Sequence, residues 1–200
     1  MNYYISDLHL GHKNILRLDH RPFFDLEQME ETIVMNWTAV VRPGDTVYIL
    51  GDFCWGKADE WGRILRRLKG QKVLIKGNHD LRTFSSELKK QFTDITPYKE
   101  IDDNGRKVIL CHFPILFYKH SNNPNYYMLC GHVHQTKEND FLERFIQEMK
   151  AESGTEDGIH FKNCAQIYNV GAMMPYMQYT PRTLDEIIRK EALMKKEYQM

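Results

Sequence analysis

Short apolar runs that stop at clusters of polar residues recur along this chain. Tyr3-Tyr4-Ile5 precedes Ser6-Asp7, Val47-Tyr48-Ile49-Leu50 precedes Gly51-Asp52, Val73-Leu74-Ile75 precedes Gly77-Asn78-His79-Asp80, and Val108-Ile109-Leu110 precedes His112. A fifth run, Tyr127-Met128-Leu129-Cys130, leads into Gly131-His132-Val133-His134, and a sixth, Ala165-Gln166-Ile167-Tyr168, into Asn169-Val170-Gly171. Continuous runs this short, rich in β-branched and aromatic residues, predict buried strands, here with chemistry at their C-terminal ends.

Helical spacing appears between the strands. Leu26, Met29, Ile33, Trp37, Val40 and Val41 form one apolar face, with Asp25 as N-cap, Gln28 three residues on, and an end before Pro43-Gly44. Trp61, Ile64, Leu65 and Leu68 form another, and Arg63, Arg66, Arg67 and Lys69 are read as its solvated side rather than as a phosphate site. A last helix begins at Thr183, whose capping box closes with Glu186, and turns Leu184, Ile187 and Ile188 inward. Between Tyr98–Asp102 and Arg106–Cys111 lies Asp103-Asn104-Gly105, an Asn-Gly hairpin signal that makes part of the sheet antiparallel. A mixed α/β architecture follows, with its loops gathered at one edge.

Length and composition narrow the possibilities. Two hundred residues with 42% hydrophobic and 27% charged positions fit one globular domain over 1–200, without linker or repeat. The polar stretch Glu138–Asn163 is the candidate for a local cap. No apolar run is long enough to cross a bilayer, and Asn2-Tyr3-Tyr4-Ile5 reads as a strand rather than a signal peptide, so a soluble cytoplasmic protein without a membrane partner is expected. Lys plus Arg equals Asp plus Glu at 27 each, which disfavours long nucleic acid as a partner because no overall positive field holds its backbone. Cys54, Cys111, Cys130 and Cys164 lack a C-x-x-C spacing and are expected as free thiols, packed rather than ligating.

The histidines change the picture. Asp7-Leu8-His9 and His132-Val133-His134 each place two ligand types at i and i+2, a spacing that projects to one side at an extended strand end. Asp52, Asn78 and His112 add single donors from three further strand ends. Seven candidate ligands exceed one tetrahedral site, whereas two ions about 3.5–4 Å apart sharing a carboxylate use them well, with Asp52 as the bridge. Imidazole, carboxylate and amide donors without thiolate suit Mn²⁺, Fe, Co, Ni or Zn²⁺ better than Ca²⁺ or Mg²⁺ without choosing among them; Mn²⁺ is the ion expected first.

The ordered blocks D-x-H, G-D, G-N-H-D, H and G-H-x-H resemble those of the calcineurin-like metallophosphoesterases, here of a small single-domain bacterial or phage type. The resemblance covers residues 3 to 134 and extends toward Asn169-Val170-Gly171. It implies an α/β fold, a four-layer α-β-β-α sandwich of mixed sheets with a dinuclear metal site at the strand ends. Carried over, it assigns Asp7, His9 and His134 to one divalent ion, Asn78, His112 and His132 to the other, and Asp52 to both. It further implies attack by a bridging hydroxide on a phosphodiester or phosphomonoester of modest size, with a nucleotide as the plausible substrate. His79 then stabilises the transition state or protonates the leaving oxygen, and Asp80 orients it.

His12, Lys13, Arg21 and Arg82 lie close enough in sequence to meet a substrate phosphate, and each is equally able to hold a loop. The segment Phe113–Tyr126 either stacks a planar ring or plugs the sandwich edge, and His20, His120 and His160 are read as structural. Gly51-Asp52-Phe53-Cys54-Trp55-Gly56 lacks the further Asp and Arg of the Ser/Thr protein phosphatases, which disfavours a phosphoprotein substrate. A nuclease for short or single-stranded nucleic acid and a non-catalytic metal-binding scaffold are the alternative readings.

Overall fold

The computed structural model describes residues 1–156, 159–162 and 164–197, with the side chains of 153, 155, 156 and 159–162 outside the description. His160 therefore lies outside the described side chains. In chain order the elements are β1 (Asn2–Ile5), α1 (Ile15–Leu18), α2 (Leu26–Val40), β2 (Thr46–Ile49), α3 (Ala58–Leu65), β3 (Gln71–Ile75), α4 (Ser86–Lys89) and β4 (Asp94–Thr96). There follow β5 (Tyr98–Asp103), β6 (Arg106–Cys111), β7 (Tyr126–Cys130), α5 (Lys137–Ala151), β8 (Ser153–Glu156), β9 (Ile159–Lys162), β10 (Ile167–Asn169) and α6 (Leu184–Glu197).

Two four-stranded sheets carry the fold, in the orders β1-β2-β3-β4 and β10-β7-β6-β5. The first is parallel throughout. The second is mixed, because only β5 runs against its neighbour β6. The expectation of mixed sheets thus holds for one sheet of the two. The antiparallel pair is the Asn-Gly hairpin, whose turn is a two-residue loop because Asp103 pairs with Arg106. Asn104 and Gly105 both have positive φ, 56° and 80°, the conformation a two-residue turn needs to follow the twist of its strands.

Alternation along the strands assigns the layers. On β6, Val108 and Leu110 join the main core while Ile109 joins a second cluster, and on β7 Leu129 separates from Met128 and Cys130 in the same way. The second cluster is closed by Leu142 and Ile146 of α5. The helical part of 138–163 is therefore an outer layer over the second sheet, and β8 and β9 form a separate two-stranded hairpin. On β1, the Tyr4 hydroxyl crosses between the sheets and donates to Asp103 Oδ2 at 2.9 Å, while the Tyr3 hydroxyl donates to Val40 O at the end of α2. Adjacent residues thus reach opposite faces, as the pleat requires. Leu184 and Ile187 of α6 complete the main core.

The caps follow the sequence closely. Asp25 Oδ1 accepts from Gln28 N at 2.8 Å, although Gln28 Oε1 reaches back one residue further than a capping box, to Phe24 N. Thr183 and Glu186 exchange the expected pair of bonds. The cations on and just after α3 lie on the solvated side as expected, and two of them are ion-paired there. Arg63 grips Glu30 of α2 with both terminal nitrogens, and Arg67 bonds Glu30 and Glu31. Four charges in one network tie α3 to α2, which leaves these two arginines paired rather than open to phosphate.

Added bulk at Gly105 meets nothing within 4 Å, so substitution there tests backbone strain alone. Gly105→Ala is expected to cost about 1 kcal/mol in denaturant unfolding, whereas Gly44→Ala, equally open and without positive φ, is expected to be neutral or stabilising.

Candidate metal centre

Parallel pairing brings the C-terminal ends of β1, β2 and β3 to one edge, and those of β6 and β7 do the same in the second sheet. The loops leaving β1 and β2 remain zipped together: Asp7 N donates to Gly51 O, His9 N to Asp52 O, Leu10 N to Phe53 O and Trp55 N to Leu10 O. The i, i+2 pairs are not on extended backbone as the spacing suggested. Asp7, His9, Asp52, His132 and His134 have φ of 53°, 49°, 51°, 69° and 45°. Asp and His tolerate this left-handed region better than most residues, yet five instances at one sheet edge mark stored strain at a functional centre. Gly51, φ 84°, permits the closest approach, since a Cβ there would lie 2.5 Å from His112 Nδ1 and 2.6 Å from Gly77 N.

All seven candidate ligands converge. Ligand atoms of Asp7, His9 and His134 form one compact group, and those of Asp7, Asp52 and His112 another. His9 Nε2 lies 3.2 Å from His134 Nε2, which is 3.5 Å from Asp7 Oδ1. On the other side Asn78 Oδ1 lies 2.9 Å from His112 Nε2 and 3.0 Å from His132 Nδ1. Asp52 Oδ2 stands between, 3.6 Å from His9 Nε2 and 3.5 Å from His112 Nε2. Its other oxygen is occupied, because His79 N donates to Asp52 Oδ1 at 2.9 Å. The Asp52 carboxylate therefore turns one oxygen, Oδ2, toward both His9 and His112.

The donor set fits divalent cations. His112 Nδ1 faces Leu50 O at 2.8 Å, and His134 Nδ1 faces Asp19 Oδ1 at 2.7 Å. Each partner only accepts, so each ring carries a hydrogen on Nδ1 and turns Nε2 inward toward the oxygens of Asn78, Asp52 and Asp7, where a cation would take the place of a proton on Nε2. Burial pulls the His134 pKa down, but the bonds to Asp19 and Asp7 outweigh it and raise it well above the ordinary value. Burial raises the Asp7 pKa, yet His134, His112 and the Ser6 hydroxyl hold it below the carboxylate range. Burial pushes His9 down to about 3, and burial also lowers His132, so both imidazoles are neutral and able to ligate.

Two of the sequence assignments are corrected. Asp80 does not orient the His79 ring: its carboxylate accepts from Asp52 N, Phe53 N and Gly77 N at 3.1, 2.9 and 2.7 Å, joining the loop after β2 to the loop after β3. Arg21 is not a phosphate contact. Buried to 4%, it donates to Leu8 O and Asp7 O at 2.7 Å each and to Asp19 Oδ2, so it locks the first ligand loop. His12 lies flat on Trp55, ring centroids 4.3 Å apart. Lys13 and Arg82 are exposed, and among the described residues neither side chain bonds to the ligand cluster.

Asp19, Ser6 and Asn169 were not singled out as site residues. Asp19 anchors both His134 and Arg21, Ser6 Oγ donates to Asp7 Oδ2 at 2.5 Å, and Asn169 Nδ2 donates to His134 O at 2.8 Å. Only the Asn169 block carried any sequence signal. No disulfide joins the four cysteines; burial pushes the Cys54 thiol up to about 12 and raises Cys130 still further, which makes both inert packing groups. In the segment 113–126, Tyr118 is buried with its hydroxyl accepting from Gln166 N, while Phe113 is 45% exposed with its ring centroid 4.6 Å from that of His132.

Two substitutions separate these supporting roles. Asp19→Asn is expected to weaken divalent-metal binding about 10- to 100-fold in calorimetry while the far-UV spectrum is retained. Asp80→Ala leaves three buried N–H groups without their acceptor and is expected to lower unfolding stability by about 3 kcal/mol, read by chemical denaturation.

Comparison with known proteins agrees with this geometry. The family model described as calcineurin-like phosphoesterase matches residues 3–163. An uncharacterised protein of Methanocaldococcus jannaschii is 37% identical over 134 residues, 66% of this chain and 68% of its own length. The gene 66 protein of Mycobacterium phage L5 is 37% identical over 81 residues, 39% of each chain. Among solved structures, a protein of unknown function from Aquifex aeolicus superposes with a TM-score of 0.64 at 29% identity, covering 94% of this chain and 98% of that one. Among the described residues no helix is long and apolar enough to cross a membrane. With its ordered motif blocks gathered at one sheet edge, the chain belongs to the calcineurin-like phosphoesterases, a family of metal-dependent hydrolases of phosphate esters.

Proposed function

We propose that this chain hydrolyses small phosphodiesters or phosphomonoesters, nucleotides among them, at a site for two divalent cations, with Mn²⁺ the first metal to supply. The observation that carries the reading is the position of Asp52 Oδ2, 3.6 Å from His9 Nε2 on one side and 3.5 Å from His112 Nε2 on the other. Bound at such a centre, two divalent cations acidify water, so that hydroxide is available at neutral pH, and neutralise phosphoryl oxygens during in-line displacement.

The remaining tasks fall to the chain. Asp7, His9 and His134 hold one position, Asn78, His112 and His132 the other, and Arg21, Asp19, Asp80 and Asn169 keep the loops from relaxing. His79 is exposed, its ring centroid 5.7 Å from that of His9 and its backbone pinned to Asp52 Oδ1. That position supports it as the proton donor to the leaving oxygen, acting through a ring nitrogen that no carboxylate bonds among the described residues. Lys13 and Arg82 are the exposed cations this reading leaves to meet substrate phosphate. The balance of 27 cationic against 27 anionic residues favours small esters over long nucleic acid.

The test is Mn²⁺-supported hydrolysis of a chromogenic phosphomonoester and its bis-ester. Wild type is expected to turn over at least one, Asp52→Asn neither, and His79→Ala to lose about 10²–10⁴ in kcat while retaining its metal. Silence of the wild type on both with two metals bound, or metal loss in His79→Ala, overturns the assignment.

A further inference from the structure

Trp37 and Trp61 are fully buried, whereas Trp55 leaves 44% of its surface exposed. An exposed indole forgoes the burial that so large a ring offers, and such rings are characteristic of recognition surfaces. Trp55 is also held firmly. Its N–H donates to Leu10 O at 2.7 Å, Leu10 and Cys54 pair as a bridge, and Trp61 Nε1 fixes Cys54 O at 3.0 Å. The loop carrying His12 passes against the same backbone. A Cβ at Gly11, φ 77°, would lie 3.1 Å from Trp55 O. That approach lays the His12 ring on the indole at 4.3 Å and 25°. His12 Nδ1 is enclosed without a hydrogen-bond partner among the described residues, so the imidazole acts there as a flat backing.

The indole stands 5.0 Å from the His79 ring, between centroids, and is therefore beside the group that would protonate the leaving oxygen. We propose that Trp55, backed by His12, is a preformed platform on which a planar ring of the substrate's leaving group stacks, so that the ester cleaved carries a nucleobase or an aryl group. The proposal rests on the phosphoesterase reading and names its substrate class. A rigid platform spares the ordering cost of binding, and stacking tolerates any ring with a π-face. Phe113 is the natural control, because it is as exposed as Trp55 but sits against His112 and His132, away from His79 in the contacts it makes.

Binding of uncleavable phosphonate analogues to the Mn²⁺-loaded protein tests this independently of turnover. The adenosine analogue is expected to bind about tenfold or more tightly than the ribose analogue. That gap should collapse in Trp55→Ala, survive in Trp55→Phe and survive in Phe113→Ala. A phenyl analogue that shares the gain identifies a general aryl platform, and one that does not identifies a nucleobase site; both results support stacking. Equal affinities in the wild type, or a gap that persists in Trp55→Ala or vanishes instead in Phe113→Ala, overturn the platform. A gap without turnover of any ester defeats the hydrolysis reading alone, and turnover without a gap defeats the platform alone.

Discussion

Backbone packing between loops governs this molecule's chemistry. Donors from five chain segments have to point at one small volume, and each segment arrives there from the end of a strand. The chain meets that demand by placing Asp7, His9, Asp52, His132 and His134 in left-handed backbone, at about 1 kcal/mol or more of strain each. Nothing local to these residues offsets such strain. It persists because the loops hydrogen-bond to one another, from Asp7 N to Gly51 O and from His9 N to Asp52 O. Arg21 seals the outer carbonyls of the first loop, and Asp80 gathers the N–H groups of the second and third.

These two buried charges explain a division of labour that side-chain chemistry alone does not suggest. Asp80 addresses main-chain N–H groups and Arg21 chiefly carbonyls and Asp19, whereas the ligand atoms are left facing one another. A guanidinium buried beside two carbonyls and a carboxylate is satisfied in its own right. For Asp80, burial raises the pKa and the bonds from Gly77 and Phe53 pull it back only in part. Its net shift is upward, the mark of a carboxylate kept for geometry despite its cost. Asp19 links the two roles, because the same carboxylate that holds Arg21 also sets the tautomer of His134.

The sequence was most legible where one residue type serves one local purpose. Asn104-Gly105 has to supply two positive φ angles, Asp25 and Thr183 have to satisfy helix N–H groups, and the strand runs end where apolar residues stop. The seven ligands were legible because their types and order form blocks that ordinary packing does not produce. Their backbone was not: an i, i+2 spacing reads as extended strand, and only the contacts across loops show that Asp7 and His9 lie beyond the end of β1 in left-handed conformation. Asp19, Arg21 and Asp80 were missed or misassigned for one reason. Apart from the Asp19–Arg21 pair, two positions apart, their partners are main-chain groups or a histidine 115 positions away, and neither leaves a trace in local composition. The pairing of Arg63 and Arg67 was illegible for a similar reason, since the glutamates they bond belong to α2.

The same loop packing decides which surface is left for substrate. On the side of Asp7 and His9, Arg21 fills the space beneath the loop, and the rings of His12 and Trp55 continue outward from it toward His79. On the side of His112 and His132, Phe113 lies edge-on to the imidazoles and the following residues fold inward through Tyr118. The two flanks are therefore unequal: one ends in a stacked, rigid, partly exposed pair of rings, the other in a single phenyl edge. A leaving group stacked as proposed would meet the flat side. On that proposal, discrimination between esters rests on the group that departs, and a contact made equally before and in the transition state acts through binding rather than on the bond being broken.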